Sequence, residues 1–406
     1  MEDVHPRGAR RRLHRALAPW VSLWLVIVAC APGPPRARGP SFGPQDEPFL
    51  SPGAAAAIDR KEEPVHRLIL IGDGGDPLPD DPTLAALGRW GDVRPEHTTV
   101  LFLGDNVYPA GLQDSDRARG ERVLRQQLEA TRAHKIFIPG NHDWGFSAGG
   151  AIQAGTLLNA QRFLEANARE RAELLPRSGC PGPVPKVLVP PGPRLPRGLT
   201  VLIVDFHWWL LPEEQRPKCA EAPDTQAFLE SLGRELEARA GETVVVAAHH
   251  PLRSGGPHGG LTRGFWTDFG AGLYYRLFSP IQDLWEPGYA QMIRVVSEAL
   301  AEAPPLAFAA GHDHSLQVLK GGDAARLMIV SGAASAARLT GVAAIDETIF
   351  AHSHPGFVVL DFFAGGGGTV LVRVVETGKA RPAFTLGLDL EPPAEPEPAT
   401  PIRLPK

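Results

Sequence analysis

Seven side chains of metal-binding type stand in five short motifs along this chain. The motifs are Gly72-Asp73-Gly74-Gly75, Gly104-Asp105-Asn106-Val107-Tyr108, Gly140-Asn141-His142-Asp143, Val246-Ala247-Ala248-His249 and Gly311-His312-Asp313-His314. Two carboxylates, an amide, a phenol and three imidazoles suit a pair of neighbouring ions, one taking harder oxygen ligands and the other a mixed N/O set. Two ions a few ångströms apart are a recurring device for in-line displacement at phosphorus. Each motif alone is weak, because Gly and Asp also suit ordinary turns. Turn chemistry does not ask for histidine, however, and the ordered set points to a phosphoesterase.

The elements that must position these residues are legible as well. Arg67–Ile71, Thr99–Leu103, Lys135–Ile138, Thr243–Val246 and Leu306–Ala309 are short apolar runs, each leading into one motif. Such runs, ended by Gly or Pro, predict buried strands. Helices are predicted over Arg117–Arg132 and Thr225–Ala240. Strand, motif, helix, strand is the pattern of an α/β sheet protein. Ligands of such sheets gather beyond the carboxyl ends of the strands, so five loops are expected to converge on one sheet edge.

The set resembles that of the calcineurin-like metallophosphoesterases, and within them the purple acid phosphatases, including the tartrate-resistant type. Tyr108, three residues after Asp105, carries the finer resemblance: most metallophosphoesterases lack a tyrosine there. Asp73-Gly74-Gly75 also matches that branch, where many relatives have Asp-x-His. The likeness continues through Ser315-Leu316-Gln317, Val330-Ser331-Gly332-Ala333 and Gly356-Phe357-Val358-Val359, and spans about residues 66 to 375. It implies a four-layer α/β/β/α sandwich of two mixed sheets flanked by helices. It also implies that Asp73, Tyr108 and His314 bind a first metal, that Asn141, His249 and His312 bind a second, and that Asp105 bridges them. The Val-x-x-His register counted from Val246 selects His249 rather than His250. The pair is expected to be Fe(III), held by the Tyr108 phenolate, with a divalent ion: Fe, Zn or Mn.

The reaction implied is hydrolysis of phosphomonoesters on small phosphorylated substrates. Two cations neutralise the ester's charge and lower the pKa of bound water, so that hydroxide is available at neutral or acidic pH. His142, beside a ligand, is placed to protonate the leaving group. His258, nine residues after His249, stands where the family carries a substrate-contacting histidine. His66, His134, His352 and His354 receive no role. Asp205, at the end of the run Leu199–Val204, is expected to cap or to support a ligand. Trp144, Phe146, Trp208 and Trp209 are expected to pack rather than to stack a nucleobase.

The ends of the chain concern its address. Arg7, Arg10, Arg11, Arg12 and Arg15 precede the apolar stretch Ala16–Ala29, which is too short for a membrane span. Ile27-Val28-Ala29-Cys30 resembles a bacterial lipobox, so residues 1–29 are expected to be a lipoprotein signal peptide and Cys30 a lipid-bearing membrane anchor. Residues 30–64 and 391–406 read as a Pro/Gly-rich tether and a Pro-rich tail, flanking a catalytic domain at 65–390 with an insert near 145–200. The protein would then be exported to a bacterial cell envelope. Residues 1–29 hold five Arg and two acidic residues, so the remainder stands near −8 against −5 for the whole chain. That balance offers no basic footprint for nucleic acid. Cys180 and Cys219, the other two of 3 Cys, are expected to form a disulfide in an oxidising compartment. The rival readings are a phosphodiesterase or nucleotidase on the same scaffold, and a non-catalytic surface binding protein. The full ligand set argues against the latter.

Overall fold

The computed structural model describes residues 41–43, 46–52, 60, 62–145, 154–168, 170–259, 282–284, 286–365 and 368–390. Residues 1–29, read above as a signal peptide, Cys30, Phe146 and the tail 391–406 lie outside these residues. Among the described residues no helix is long and apolar enough to cross a membrane.

Among the described residues seventeen strands form two large mixed sheets and one short pair. In chain order they begin β1 (Ser41–Phe42), β2 (Phe49–Leu50), β3 (His66–Ile71), β4 (Thr98–Phe102), β5 (His134–Phe137) and β6 (Ala172–Leu174). Then come β7 (Val184–Val189), β8 (Leu199–Ile203), β9 (Val244–Ala247), β10 (Ala307–Ala310), β11 (Leu316–Lys320) and β12 (Leu327–Ser331). The last are β13 (Val342–Ala343), β14 (Thr348–His352), β15 (Gly356–Phe363), β16 (Thr369–Glu376) and β17 (Phe384–Asp389). A seven-stranded sheet runs β17-β16-β15-β3-β4-β5-β6, and an eight-stranded sheet runs β2-β14-β11-β12-β10-β9-β8-β7. Within the first, β3, β4, β5 and β6 are parallel; within the second, β8, β9, β10 and β12 are. Parallel neighbours need crossover connections, and the helices supply most of them.

Alternation within the strands builds the four layers. Leu68, Leu70, Leu101 and Ile136 of one sheet meet Val201, Ile203, Val245 and Ile329 of the other in a shared core. Ile69, Ile71, Val100 and Phe102 turn the other way, onto Leu87 of the helix Pro82–Gly91, Leu124 of Arg117–Glu129 and Leu164 of Ala154–Asn167. On the far side Val244, Val246 and Phe308 pack against Phe228 and Leu232 of Thr225–Glu237 and Met292 and Val296 of Pro287–Glu302. Strands buried on both faces are why the predicted runs are continuously apolar. The expected α/β/β/α sandwich of two mixed sheets is therefore present.

The predicted helices start where expected and stop about one turn early, at Glu129 and Glu237. Part of the segment read as a tether is strand: β1 pairs with β13, and β2 adds to β14. The stretch 145–200 contains the helix Ala154–Asn167 and the strands β6 and β7. Cys180 and Cys219 are joined by a disulfide across 39 residues. Trp144 and Trp208 are fully buried and Trp209 partly so, which makes them core, as expected.

His352 has a structural task. On β14 its Nδ1 donates to Glu376 Oε1 at 2.5 Å, at the end of β16 in the other sheet, and its Nε2 lies 2.8 Å from the Asp46 carbonyl. Burial works against the imidazolium, but the bond and charge of Glu376 outweigh it and hold its pKa above the ordinary 6.5. Glu376 is itself held below 4.5: burial opposes its charge, and His352 and Lys379 outweigh it. A raised histidine stabilises below its unfolded pKa, and that contribution fades as pH rises through its folded pKa. The lowered glutamate contributes above its unfolded pKa and fades as pH falls through its folded one. The window of greatest support thus lies between 4.5 and 6.5. Thermal melts of wild type and His352→Gln should differ most near pH 5.5, and the gap should narrow by pH 9. A gap that widens with pH contradicts this account.

Candidate metal centre

The five motifs meet where the two sheets adjoin. β3, β4 and β5 bring Asp73, the Asp105–Tyr108 loop and the Asn141–Asp143 loop from one sheet, while β9 and β10 bring His249 and the His312–His314 loop from the other. The loops are laced directly to one another. Gly72 N donates to Ser331 O at 2.7 Å, Asp73 N to Gly104 O at 3.0 Å, Tyr108 N to Gly75 O at 3.0 Å and Gly311 N to His249 O at 3.0 Å. Two glycines are required by that closeness. Gly104 has φ +92°, and a Cβ on it would strike the His249 ring; a Cβ on Gly140 would strike the backbone and carboxylate of Asp105.

Three of the seven predicted ligands carry left-handed backbone: Asp73 at φ 61°, Asp105 at 54° and His312 at 69°. Such conformations cost of order 1–3 kcal/mol each in a non-glycine residue and gather at functional sites.

The seven predicted ligands form two groups that share Asp105. In the first, Tyr108 Oη lies 3.1 Å from Asp73 Oδ1 and 3.1 Å from His314 Nε2, and His314 Nε2 lies 3.3 Å from Asp73 Oδ1. One donor atom each of Asp73, Asp105 and His314 lie within 4.8 Å of one another. In the second, His249 Nε2 is 3.0 Å from Asn141 Oδ1, 3.3 Å from His312 Nδ1 and 3.5 Å from Asp105 Oδ1. Donors bound to a common ion at about 2.0–2.2 Å stand roughly 3.0–3.5 Å apart. The spacing therefore fits two ions, with Asp105 between them.

The imidazoles are aimed by backbone carbonyls. A carbonyl only accepts, so the nitrogen facing it carries the proton and the other is left as a ligand. His249 Nδ1 donates to Leu103 O at 2.8 Å, His314 Nδ1 to Arg338 O at 2.6 Å and His312 Nε2 to Gln282 O at 2.9 Å. Each opposite nitrogen is the one in the cluster.

The electrostatics favour cations as well. Burial opposes charge on Asp105, yet the His249 and His142 imidazoles and the His142 N–H outweigh it and lower its pKa to about 2. Burial likewise opposes the His314 imidazolium, and Asp73 outweighs it, raising the pKa to about 9. Tyr108 is pushed well above 10, first by burial and then by the Asp105 and Asp73 charges. In the polypeptide alone, protons on imidazole and phenol occupy the role that metal ions would take over, and metal binding would release them.

The remaining predicted residues fall around the cluster. His142 is outside the ligand groups: its Nδ1 is held by the Pro109 carbonyl and its Nε2 lies 3.9 Å from Asp105 Oδ2, with the side chain 28% exposed. His258 stacks on His312 with ring centroids 4.0 Å apart, and its Nδ1 is 2.8 Å from Asp283 Oδ1. His250 is buried, with its Nε2 donating to Gln282 Oε1 at 2.6 Å, consistent with the register that chose His249. Asp205 caps the short helix Phe206–Leu210 and accepts from Trp144 Nε1 at 2.8 Å. Asp143, to which the sequence assigns no role, accepts from Asn106 N and Nδ2, Val107 N and Gly140 N and so clamps the second motif to the third. Its position right after His142 was the available signal. Gln282 and Arg338, which orient His312 and His314, carried none.

The sequence profile described as calcineurin-like phosphoesterase matches residues 66–316. This chain belongs to the calcineurin-like phosphoesterase family. The matched span contains all seven of the predicted ligands. A search of curated proteins gave no match. Among solved structures, the phosphoesterase is similar to GAP50, the anchor in the inner membrane complex of Plasmodium. The TM-score is 0.51 at 16% identity, covering 80% of this chain and 89% of that one. It is also similar to the purple acid phosphatase PPD1 from yellow lupin (Lupinus luteus) seeds, with TM-score 0.50 at 14% identity over 81% of this chain and 55% of the lupin one. At such identity the likeness is one of fold.

Proposed function

We propose that this phosphoesterase hydrolyses phosphomonoesters at a dinuclear metal centre of the purple-acid-phosphatase type. The observation that carries the reading is the convergence of seven donors from five loops into two groups sharing Asp105, with Tyr108 Oη 3.1 Å from both Asp73 and His314. When bound, two ions, Fe(III) at Tyr108 and a divalent partner, would neutralise the ester's negative charge and make a nucleophile available at acidic pH. The chain's own residues supply the rest. His142, its Nδ1 proton held by the Pro109 carbonyl, offers Nε2 as proton donor to the leaving oxygen when the ring is in its imidazolium form, and is left as the neutral imidazole. His258, held between Asp283 and the His312 ring, faces the second-metal side and is placed to bind an ester oxygen. Asp143 and the lacing of the loops hold these groups still, which is most of what positioning requires.

The nucleotidase alternative loses its stacking candidates Trp144 and Trp208, which are buried in the core. GAP50 is described as an anchor, but the complete donor set here supports a catalyst over a binding protein. Elemental analysis with a panel of monoesters and diesters tests the reading. The expected result is two metals per chain, with monoester hydrolysis that chelation abolishes and added metal restores. Hydrolysis that survives complete chelation, or diesters preferred throughout, would overturn it.

We also propose export with a lipid anchor at Cys30, on the basic, apolar and Ile27-Val28-Ala29-Cys30 succession. Intact mass of detergent-extracted protein should show cleavage before Cys30 with added acyl mass. An unmodified N-terminus elsewhere removes the anchor.

A further inference from the structure

One residue meets two ligands of the first metal by different atoms. Arg338 ends the short 3₁₀ turn Ala336–Arg338 that follows β12. Its backbone carbonyl accepts from His314 Nδ1 at 2.6 Å, and its guanidinium carbon lies 3.7 Å from the centre of the Tyr108 ring. The guanidinium is clamped there by Asp76 Oδ2 at 3.2 Å. Asp76 is shared: its Oδ1 is 3.2 Å from Arg119, which also donates to the Tyr108 carbonyl, and its own backbone carbonyl accepts from Ser335 Oγ at 3.1 Å. Arg119 also lies 4.0 Å from Asp116 Oδ2, so Asp76 offsets part of the Arg338 charge while it holds the guanidinium on the ring. A cation on an aromatic face is attracted by the ring's electrons and in turn stabilises them.

We propose that Arg338 is a positioning residue for the first metal, whose guanidinium on the Tyr108 ring sets how strongly the Tyr108 oxygen donates to the ion. The inference rests on the proposed iron–phenolate reading of that site. The guanidinium sits on the face of the ring, 3.7 Å from its centre, whereas an ion would be held beyond the Tyr108 oxygen, so the cation lies nearer the donor's ring electrons than the ion would. Coulombic stabilisation falls with distance, so the donor orbital is lowered more than the acceptor. The consequences are a charge-transfer band at shorter wavelength and a ferric state easier to reduce than the seven ligands alone would give. Outer partners of metal ligands act in this way, through charge and hydrogen bonding rather than contact with the ion.

The test uses absorption spectra and iron content of full-length, iron-loaded protein. Arg338→Gln keeps the backbone carbonyl under His314 and removes only the cation. Its band is expected at longer wavelength than wild type with iron content unchanged, and its reduction potential is expected to fall. Arg338→Lys, which keeps the charge without the flat group, should move the band less. Asp76→Asn releases the clamp and should shift the band in the same direction, so the inference stays testable should Arg338→Gln fail to fold. A coloured wild type whose band coincides with those of fully loaded Arg338→Gln and Asp76→Asn overturns the inference and leaves the iron reading standing. Loss of iron in the variants without a band shift assigns Arg338 a merely structural role and overturns it too. An iron-free, colourless wild type overturns the iron reading and this inference with it.

Discussion

Asp105→Ala is expected to bind neither metal and to lose hydrolysis by more than about 10³-fold, since the ions carry most of the rate acceleration proposed here. Asp105 is the only residue placed in both donor groups, with Oδ1 3.5 Å from His249 Nε2 and a carboxylate oxygen grouped with Asp73 and His314. Removing it leaves two separate, incomplete sites, each with three protein donors. The same carboxylate accepts from His142 N at 3.0 Å, so the proton donor also loses its anchor. Asp105 stands at φ 54°, where alanine is strained, and Asp105→Asn therefore serves as the companion variant because asparagine tolerates that backbone. Metal-linked stability should disappear in step. An ion at a thousand times its Kd stabilises a fold by about 4 kcal/mol. Wild type should melt markedly higher with metal than after chelation, and Asp105→Asn should melt alike in both conditions. Retention of two metals by either variant would refute the bridging role.

Tyr108→Phe is expected to abolish the pink to violet colour proposed for the iron-loaded protein while leaving the fold intact. The ring is fully buried and stays to fill its space; only the oxygen goes. Asp73 Oδ1 and His314 Nε2 still face each other at 3.3 Å, so Asp73, His314 and Asp105 would remain to hold the proposed first ion. Activity should accordingly fall less than in Asp105→Ala. A tyrosine that only packs and hydrogen-bonds predicts something else: a colourless wild type with Mn or Zn in both positions, and unchanged spectra on substitution. Optical spectra with metal content of both proteins, expressed with iron available, separate the two.

The layers of the fold and the convergence of the predicted ligands were legible for a shared reason. Strands buried on both faces must be continuously apolar, so β3, β4, β5, β9 and β10 stand out as runs, and each run delivers its motif at its carboxyl end. What stayed hidden depends on which loops touch, and that is fixed only when the sheets pack. Nothing local marks Arg338, which reaches Tyr108 across 230 residues of chain, or Gln282, whose carbonyl orients His312. The His352–Glu376 pair is likewise a contact between two sheets. Short strands such as β1 and β2 were missed because two residues show no alternation, and Pro and Gly around them read as tether. The helix ends at Glu129 and Glu237 fall short of the predicted ones because Ala and Arg continue beyond them without a Gly or Pro stop at once.

The claim at the centre of this account is that Asp105 joins two metal ions of different surroundings. Anomalous difference maps from crystals of iron-grown protein, collected on either side of the iron edge, test it most directly. The account predicts two peaks flanking the Asp105 carboxylate. The iron-specific one should touch Asp73, Tyr108 and His314, and the other Asn141, His249 and His312. A single peak, or metal bound away from Asp105, would contradict it.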